Sequence, residues 1–130
     1  MNVEKLERWI AEKIEPEPEF NSGSVTSGVI HAKSRIAWEY YGEDGQWEPR
    51  RFASDAIASK MLREKLAERG SVHLVLYANK PNPTLDEPRA RCSLYRAGKM
   101  VVNSEGKTEE LAVALAFALA HGARKEDFDD

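Results

Sequence analysis

The chain has 130 residues, of which 42% are hydrophobic and 32% charged, and its formal net charge is -3. This length favours one domain and excludes two independent cores, and this composition is typical of a folded, water-soluble protein and excludes a disordered or fibrous one. The mild acidity gives no whole-molecule attraction for phosphate, so nucleic acid is not indicated as a partner, although a local basic face remains compatible with it.

The first 45 residues predict a helix, an irregular segment and a strand with a following turn. Apolar residues three and four apart among charged ones predict a first helix over Val3–Ile14. Two prolines within residues 15–19 end it, because proline lacks the amide hydrogen that a continuing helix needs. Residues 21–28 are rich in serine and glycine and predict a loop. Residues 35–41 are aromatic enough for a strand, and residues 43–45 offer a turn.

A second helix is predicted over residues 54–69. Ser54 or Asp55 can accept hydrogen bonds from the free amides of its first turn, and a stripe of apolar residues follows. Gly70 is a usual C-terminal stop.

The middle of the chain predicts an antiparallel pair of strands. Residues 72–78 and 89–96 are rich in branched and aromatic residues, and three prolines make the segment between them a loop. Residues 97–99 form a tight turn, so residues 100–102 should return beside the second of these strands.

The last helix opens after Thr108 and stops near Gly122. Its residues 111–120 are apolar on nearly every side, so it should be covered on more than one side and form the centre of the core against the sheet. The pattern predicts an α+β fold in which an antiparallel sheet of about three to four strands is layered with helices. Residues 1–123 form the single domain, and residues 124–130 form a charged, flexible tail.

Cys92 is the single cysteine and has no intramolecular partner. Alternation places it on the apolar side of its strand, where a thiol packs as a small hydrophobe, and a lone thiol fits a reducing compartment. The charged start does not match a signal peptide, and the longest apolar run is half a membrane span. We therefore expect a cytoplasmic protein without a membrane partner.

One polar face of the predicted sheet carries the candidate ligand-binding residues. Alternation places His73 and Tyr77 on the more polar side of one strand, and Arg91 and Tyr95 on the more polar side of the next. If these sides share a face, the four side chains converge and can bind a phosphate or carboxylate beside a flat ring. A solvated face with cross-strand pairs is the alternative, and a helix packed over the face would remove the site.

Other polar residues give weaker signals. Arg50 and Arg51 precede the second helix and can hold an anion at its start, or they are plain surface charge. His31, His73 and His121 lack the spacing of a zinc site, and His121 has a structural role at a helix end. We expect no metal, no cofactor and no catalytic set, because neither a nucleophile elbow nor a nucleotide-binding glycine loop is present.

Three stretches resemble the phage ABA-sandwich domain, a family of small phage and prophage proteins. They are Trp-Ile-Ala-Glu-Lys-Ile at residues 9–14, Phe-Ala-Ser-Asp-Ala-Ile-Ala at residues 52–58 and the alanine- and leucine-rich helix after Thr108. The resemblance implies a sheet layered between helices and an origin in a phage or prophage. It implies no activity, and no site residue comes from it.

These observations favour a non-enzymatic phage or prophage accessory protein that binds a host protein, another host macromolecule or a small anionic ligand. One alternative is an enzyme that acts on a phosphorylated or nucleotide-like substrate through His73 and Arg91. Another is a structural component of a homo-oligomer joined by its sheet edge.

Overall fold

Three α-helices and five β-strands make up the described part of the chain, residues 1–18, 36–41, 46–77 and 89–130 of a computed structural model. In chain order these elements are α1 (Val3–Ile14), β1 (Trp38–Tyr41), β2 (Gln46–Pro49), α2 (Ala56–Ala67), β3 (Ser71–Leu76), β4 (Ala90–Arg96), β5 (Lys99–Gly106) and α3 (Glu109–Ala120). A 3₁₀ helix, Lys125–Phe128, follows them. The predicted α+β class is confirmed, with helices packed on an antiparallel sheet. Within the described ranges, no helix has the length and apolarity that crossing a bilayer requires.

The main sheet has three antiparallel strands in the order β3-β4-β5, so β4 is central. The predicted turn between β4 and β5 is confirmed, because Arg96 pairs with Lys99 and both intervening residues have positive φ angles. A bulge between Leu94 and Tyr95 interrupts the β4–β5 register. The returning strand β5 continues to Gly106, beyond the predicted end at residue 102.

A separate two-stranded hairpin of β1 and β2 precedes the main sheet. The predicted strand at residues 35–41 is present as the shorter β1, whereas β2 was not predicted. The expected turn at residues 43–45 and the expected loops at 21–28 and 79–88 lie outside the described residues. Trp38 is fully buried, and its Nε1 donates to the carbonyl oxygen of Glu15 at 3.1 Å. This hydrogen bond attaches the hairpin to the end of α1.

Helix α3 forms the centre of the core, as its all-round apolarity predicts. Every residue from Ala112 to Ala118 is buried, and α3 packs against β4, β5, α1 and α2. Gly106 allows this close packing, because a Cβ atom there would lie 2.8 Å from the backbone nitrogen of Ala112. The hydroxyl of Ser104 donates to the Ala112 carbonyl at 2.6 Å, so the one buried polar side chain of β5 also ties the sheet to α3.

The helix ends follow ordinary capping chemistry. Helix α1 has the predicted bounds, and the Asn2 side chain accepts from the Lys5 amide at its start. Helix α2 is two residues shorter than predicted at each end, with Asp55 rather than Ser54 as its N-cap. Thr108 caps α3 as predicted.

The C-terminal segment differs from the flexible tail that its charge predicts. Residues 125–128 form a 3₁₀ helix, and Phe128 is 1% exposed. Its ring meets Trp9 of α1 edge-on with centroids 6.1 Å apart, and its carbonyl accepts from the Asn2 amide at 2.6 Å. One large apolar side chain therefore docks a segment whose other residues are mostly charged.

Candidate functional site: the open sheet face

The two faces of the main sheet have opposite surroundings. Cys92 and Leu94 of β4 are buried on the side that packs against α3, and Val72, Leu74 and Val102 of the flanking strands are partly buried on that side. The opposite side, which we call the open sheet face, meets no helix of the described ranges. The resemblance implied helices on both sides of the sheet, whereas the helices described here share one side. The open sheet face carries Ser71, His73, Val75, Tyr77, Arg89, Arg91, Ser93, Tyr95, Asn103 and Glu105.

All four predicted site residues lie on this face, because the register between β3 and β4 brings the polar sides of the two strands to the same side of the sheet. His73 is opposite Ser93, and Val75 is opposite Arg91. Tyr77 lies just beyond β3, and its amide donates to the Arg89 carbonyl at 2.8 Å, which continues the pairing by one more step. The structure does not place the four in one cluster, because His73 and Tyr77 are four residues apart along one strand, about 13 Å.

His73 and Tyr95 form an aromatic pair at one end of the face. Their ring centroids are 4.8 Å apart at an interplanar angle of 69°, which is an edge-to-face contact. Their positions are diagonal across β3 and β4, a spacing that long side chains can bridge. Tyr95 also approaches Gly70, whose missing Cβ leaves room for the Tyr95 carbonyl at the start of β3.

Ser93 lies on the central strand β4, between His73 of β3 and Asn103 of β5, and is 5% exposed. Its hydroxyl donates to Oδ1 of Asn103 on β5 at 3.0 Å. In the described residues no hydrogen bond joins Ser93 to His73, so the structure has no serine–histidine pair of the kind that activates a nucleophile.

Arg91 occupies the middle of the open sheet face and is half-buried. Its Nε atom is buried without a hydrogen-bond partner, and within the described ranges no ion pair reaches its guanidinium. Glu105 is its cross-strand partner on β5. An arginine fork without a protein partner is suited to accept a phosphate or carboxylate from outside the chain.

Asn103 and Glu105 belong to the face but were missed from the sequence, because β5 was expected to end at residue 102. The sequence nevertheless contained a pattern that indicates both residues. Alternation continues past that point, with Ser104 on the buried side and its two neighbours exposed.

Arg50 and Arg51 do not form the anion site considered for the start of α2. The guanidinium of Arg50 faces Glu39 at 3.5 Å, and the first turn of α2 is capped by Asp55, whose side chain accepts from the Ile57 amide at 3.3 Å. That helix start therefore already has protein partners.

Arg51 instead lines a surface cleft of about 420 Å3 between α1 and β2. The cleft is also lined by Glu4, Glu7, Arg8, Glu48 and Pro49. One carboxylate oxygen of Glu7 accepts from the Ala53 amide at 3.1 Å, and burial raises the pKa of Glu7 despite this hydrogen bond and the nearby charge of Arg51. Charges of both signs line the cleft, so it has no marked preference for one type of ion.

The histidines and the cysteine have local explanations. Nδ1 of His121 lies 2.9 Å from the Phe117 carbonyl and donates to it, and burial lowers the pKa of His121. Cys92 is fully buried on the helix side, as predicted, and burial raises its pKa to about 11. His31 lies outside the described residues. In the part of the chain that the structure describes, no three metal-binding side chains form a group.

Comparison with known proteins supports the fold. No protein-family model matches the chain, and no curated protein matches it. Among solved structures, the chain is similar to a phage protein from Bacillus cereus ATCC 14579 whose crystal structure was determined at 2.0 Å. The TM-score is 0.52 with 13% identity, and the match covers 90% of this chain and 89% of that chain. This likeness is one of fold.

Proposed function

We propose that this protein is a cytoplasmic phage or prophage accessory protein that binds a small anionic ligand bearing a flat ring on its open sheet face. The phage assignment is supported by the fold shared with the Bacillus cereus phage protein, which spans nearly the whole of both chains. The ligand assignment is supported by one observation above all: the half-buried Arg91 guanidinium, which has no ion pair among the described residues, lies on the same sheet face as the His73–Tyr95 ring pair.

The arrangement assigns a role to each part of the ligand. The Arg91 fork donates charge-assisted hydrogen bonds to a phosphate or carboxylate. His73 and Tyr95 offer ring surfaces on which a base or another flat group can stack. Ligands of this class include nucleoside monophosphates.

Binding is favoured over the enzyme alternative by the environment of His73. The hydroxyl of Ser93, the residue directly opposite His73 on β4, is buried and donates to Asn103. Ser93 is therefore not placed as a nucleophile that His73 could activate.

The test is calorimetric titration with thymidine monophosphate and, separately, with inorganic phosphate. Arg91→Ala should weaken binding of both ligands by about 1.5 to 3 kcal/mol, the usual value of a hydrogen bond to a charged group. Arg91→Lys keeps the charge but loses the fork, so it should restore only part of the affinity.

Lys60→Ala is the matched control, because it removes one exposed positive charge from α2 on the helix side of the sheet. It should bind both ligands as the parent does. Affinity of Arg91→Ala equal to that of the parent, or no binding of either ligand at millimolar concentration, would refute the proposed function.

A further inference from the structure

The open sheet face has two ring sites with cations between and beside them. The His73–Tyr95 pair lies at one end, and Tyr77 lies about 13 Å further along β3 at the other. Arg91 faces Val75, midway between these ends, and Arg89 faces Tyr77. Arg89 directly precedes β4 and is two residues from Arg91, so their side chains leave the sheet about 7 Å from one another.

This alternation of rings and cations corresponds to the alternation of bases and phosphates in a nucleic acid strand. We infer that the open sheet face binds a short single strand, with two of its bases on the two ring sites and phosphates of the backbone that joins them on Arg91 and Arg89. This inference deepens the proposed function and rests on it, because a nucleoside monophosphate can occupy only one ring site together with Arg91.

Single strands rather than duplexes fit this face. Stacking on protein rings needs unpaired bases whose surfaces are free, and stacking platforms beside cationic grooves bind strands with little dependence on sequence. In a duplex the bases are stacked on one another, so no base surface is free to stack on the ring sites.

The charges on the face also limit the affinity. Arg89 and Arg91 are opposed by Glu105, which is the cross-strand partner of Arg91, and the whole chain has a net charge of -3. The net charge does not indicate a nucleic-acid partner, whereas the open sheet face has a local excess of positive charge. Binding should therefore be modest and strongly dependent on salt.

The experiment measures fluorescence anisotropy of labelled ten-residue oligothymidylate and oligouridylate, with thymidine monophosphate as competitor and a ten-base-pair duplex for comparison. A single strand should bind about 5- to 100-fold more tightly than the monophosphate, because it gains a second stacked base. The two oligomers distinguish DNA from RNA as the preferred strand.

Variants separate the second ring site from the first. Tyr77→Leu should remove most of the affinity that the single strand gains over the monophosphate, and it should leave monophosphate binding unchanged.

Arg89→Ala is the second variant, because Tyr77 is partly buried and its replacement can disturb the fold. Arg89 is exposed, and its backbone pairing does not depend on its side chain. This variant should make the slope of log affinity against log salt shallower by about 0.7, the loss of one phosphate contact on a single strand. Glu105→Gln should strengthen binding, and Lys60→Ala should leave it unchanged.

The outcomes distinguish the two proposals. If the monophosphate binds through Arg91 but the single strand binds no more tightly, the inference is overturned and the proposed function stands. If neither ligand binds, both are overturned. Equal affinity for duplex and single strand, or an unchanged salt slope in Arg89→Ala, also overturns the inference.

Discussion

Among the described residues, Ala97 is the one non-glycine residue with a positive φ angle. Its φ angle is 54° and that of Gly98 is 77°, so the two-residue loop between β4 and β5 has the left-handed geometry of a type I′ turn. A Cβ atom in this region is costly, and asparagine tolerates it better than alanine. Ala97→Asn should therefore raise the free energy of unfolding by about 0.5 to 1 kcal/mol, measured by urea denaturation.

Gly98→Ala provides the companion change, because it adds a Cβ where φ is also positive and no atom lies within 4 Å. It should lower the free energy of unfolding through backbone strain alone. Equal midpoints for the parent and both variants would show that the turn is not strained at either position.

Cys92 should be inert in the folded protein. It is fully buried, and burial raises the pKa of its thiol to about 11, so the reactive thiolate is scarce at neutral pH. A disulfide reagent should react slowly with the folded chain and rapidly in denaturant. A Cys92→Ser variant carrying Ser54→Cys, which places the thiol at an exposed position, should react rapidly in both states. Equal rates for folded and unfolded parent protein would contradict the burial of Cys92.

At the scale of the element, we expect α3 to contribute strongly to the stability of the fold, because every residue from Ala112 to Ala118 is buried. Leu115 is 2% exposed and Phe117 is 1% exposed. Shortening either to alanine removes buried apolar surface and leaves a cavity, so each variant should lose about 2 to 5 kcal/mol of unfolding free energy. Denaturant melts measure this loss.

The matched control for α3 is Ile57→Ala on α2, since Ile57 is 78% exposed. Its unfolding free energy should stay within about 0.5 kcal/mol of the parent. Core variants as stable as this control would mean that α3 is not the centre of the core.

For the whole molecule, local patterns predicted the elements that carry their own signals. The apolar stripe of α1, together with the prolines that follow, was enough to give both of its bounds. The strand β2 was missed because Gln46–Pro49 contains a proline and two polar residues, and its stability comes from pairing with β1 and from the ring contact of Trp47 with Tyr40. The docking of Phe128 was missed for the same reason, because its partner Trp9 is at the other end of the sequence.

The open sheet face was predicted in part. Alternation within β3 and β4 assigned His73 and Arg91 to the polar sides of their strands, since a strand's side chains alternate whatever its neighbours are. The contact of His73 with Tyr95 depends on the register between the strands, which the sequence does not specify across a long loop. Whether a helix covers the face depends on how the helices pack, and local periodicity carries no information about that.

The hydrogen bond between the Asn2 amide and the Phe128 carbonyl brings the two ends of the described chain side by side. The path of the backbone is thus nearly a closed ring, which can be opened at an exposed turn instead of at its present ends. A short linker between residues 130 and 1, with a new opening at the exposed Gly98, gives a circular permutant in which every helix and strand keeps its neighbours. A partner protein fused at either end would likewise emerge from the same point on the surface.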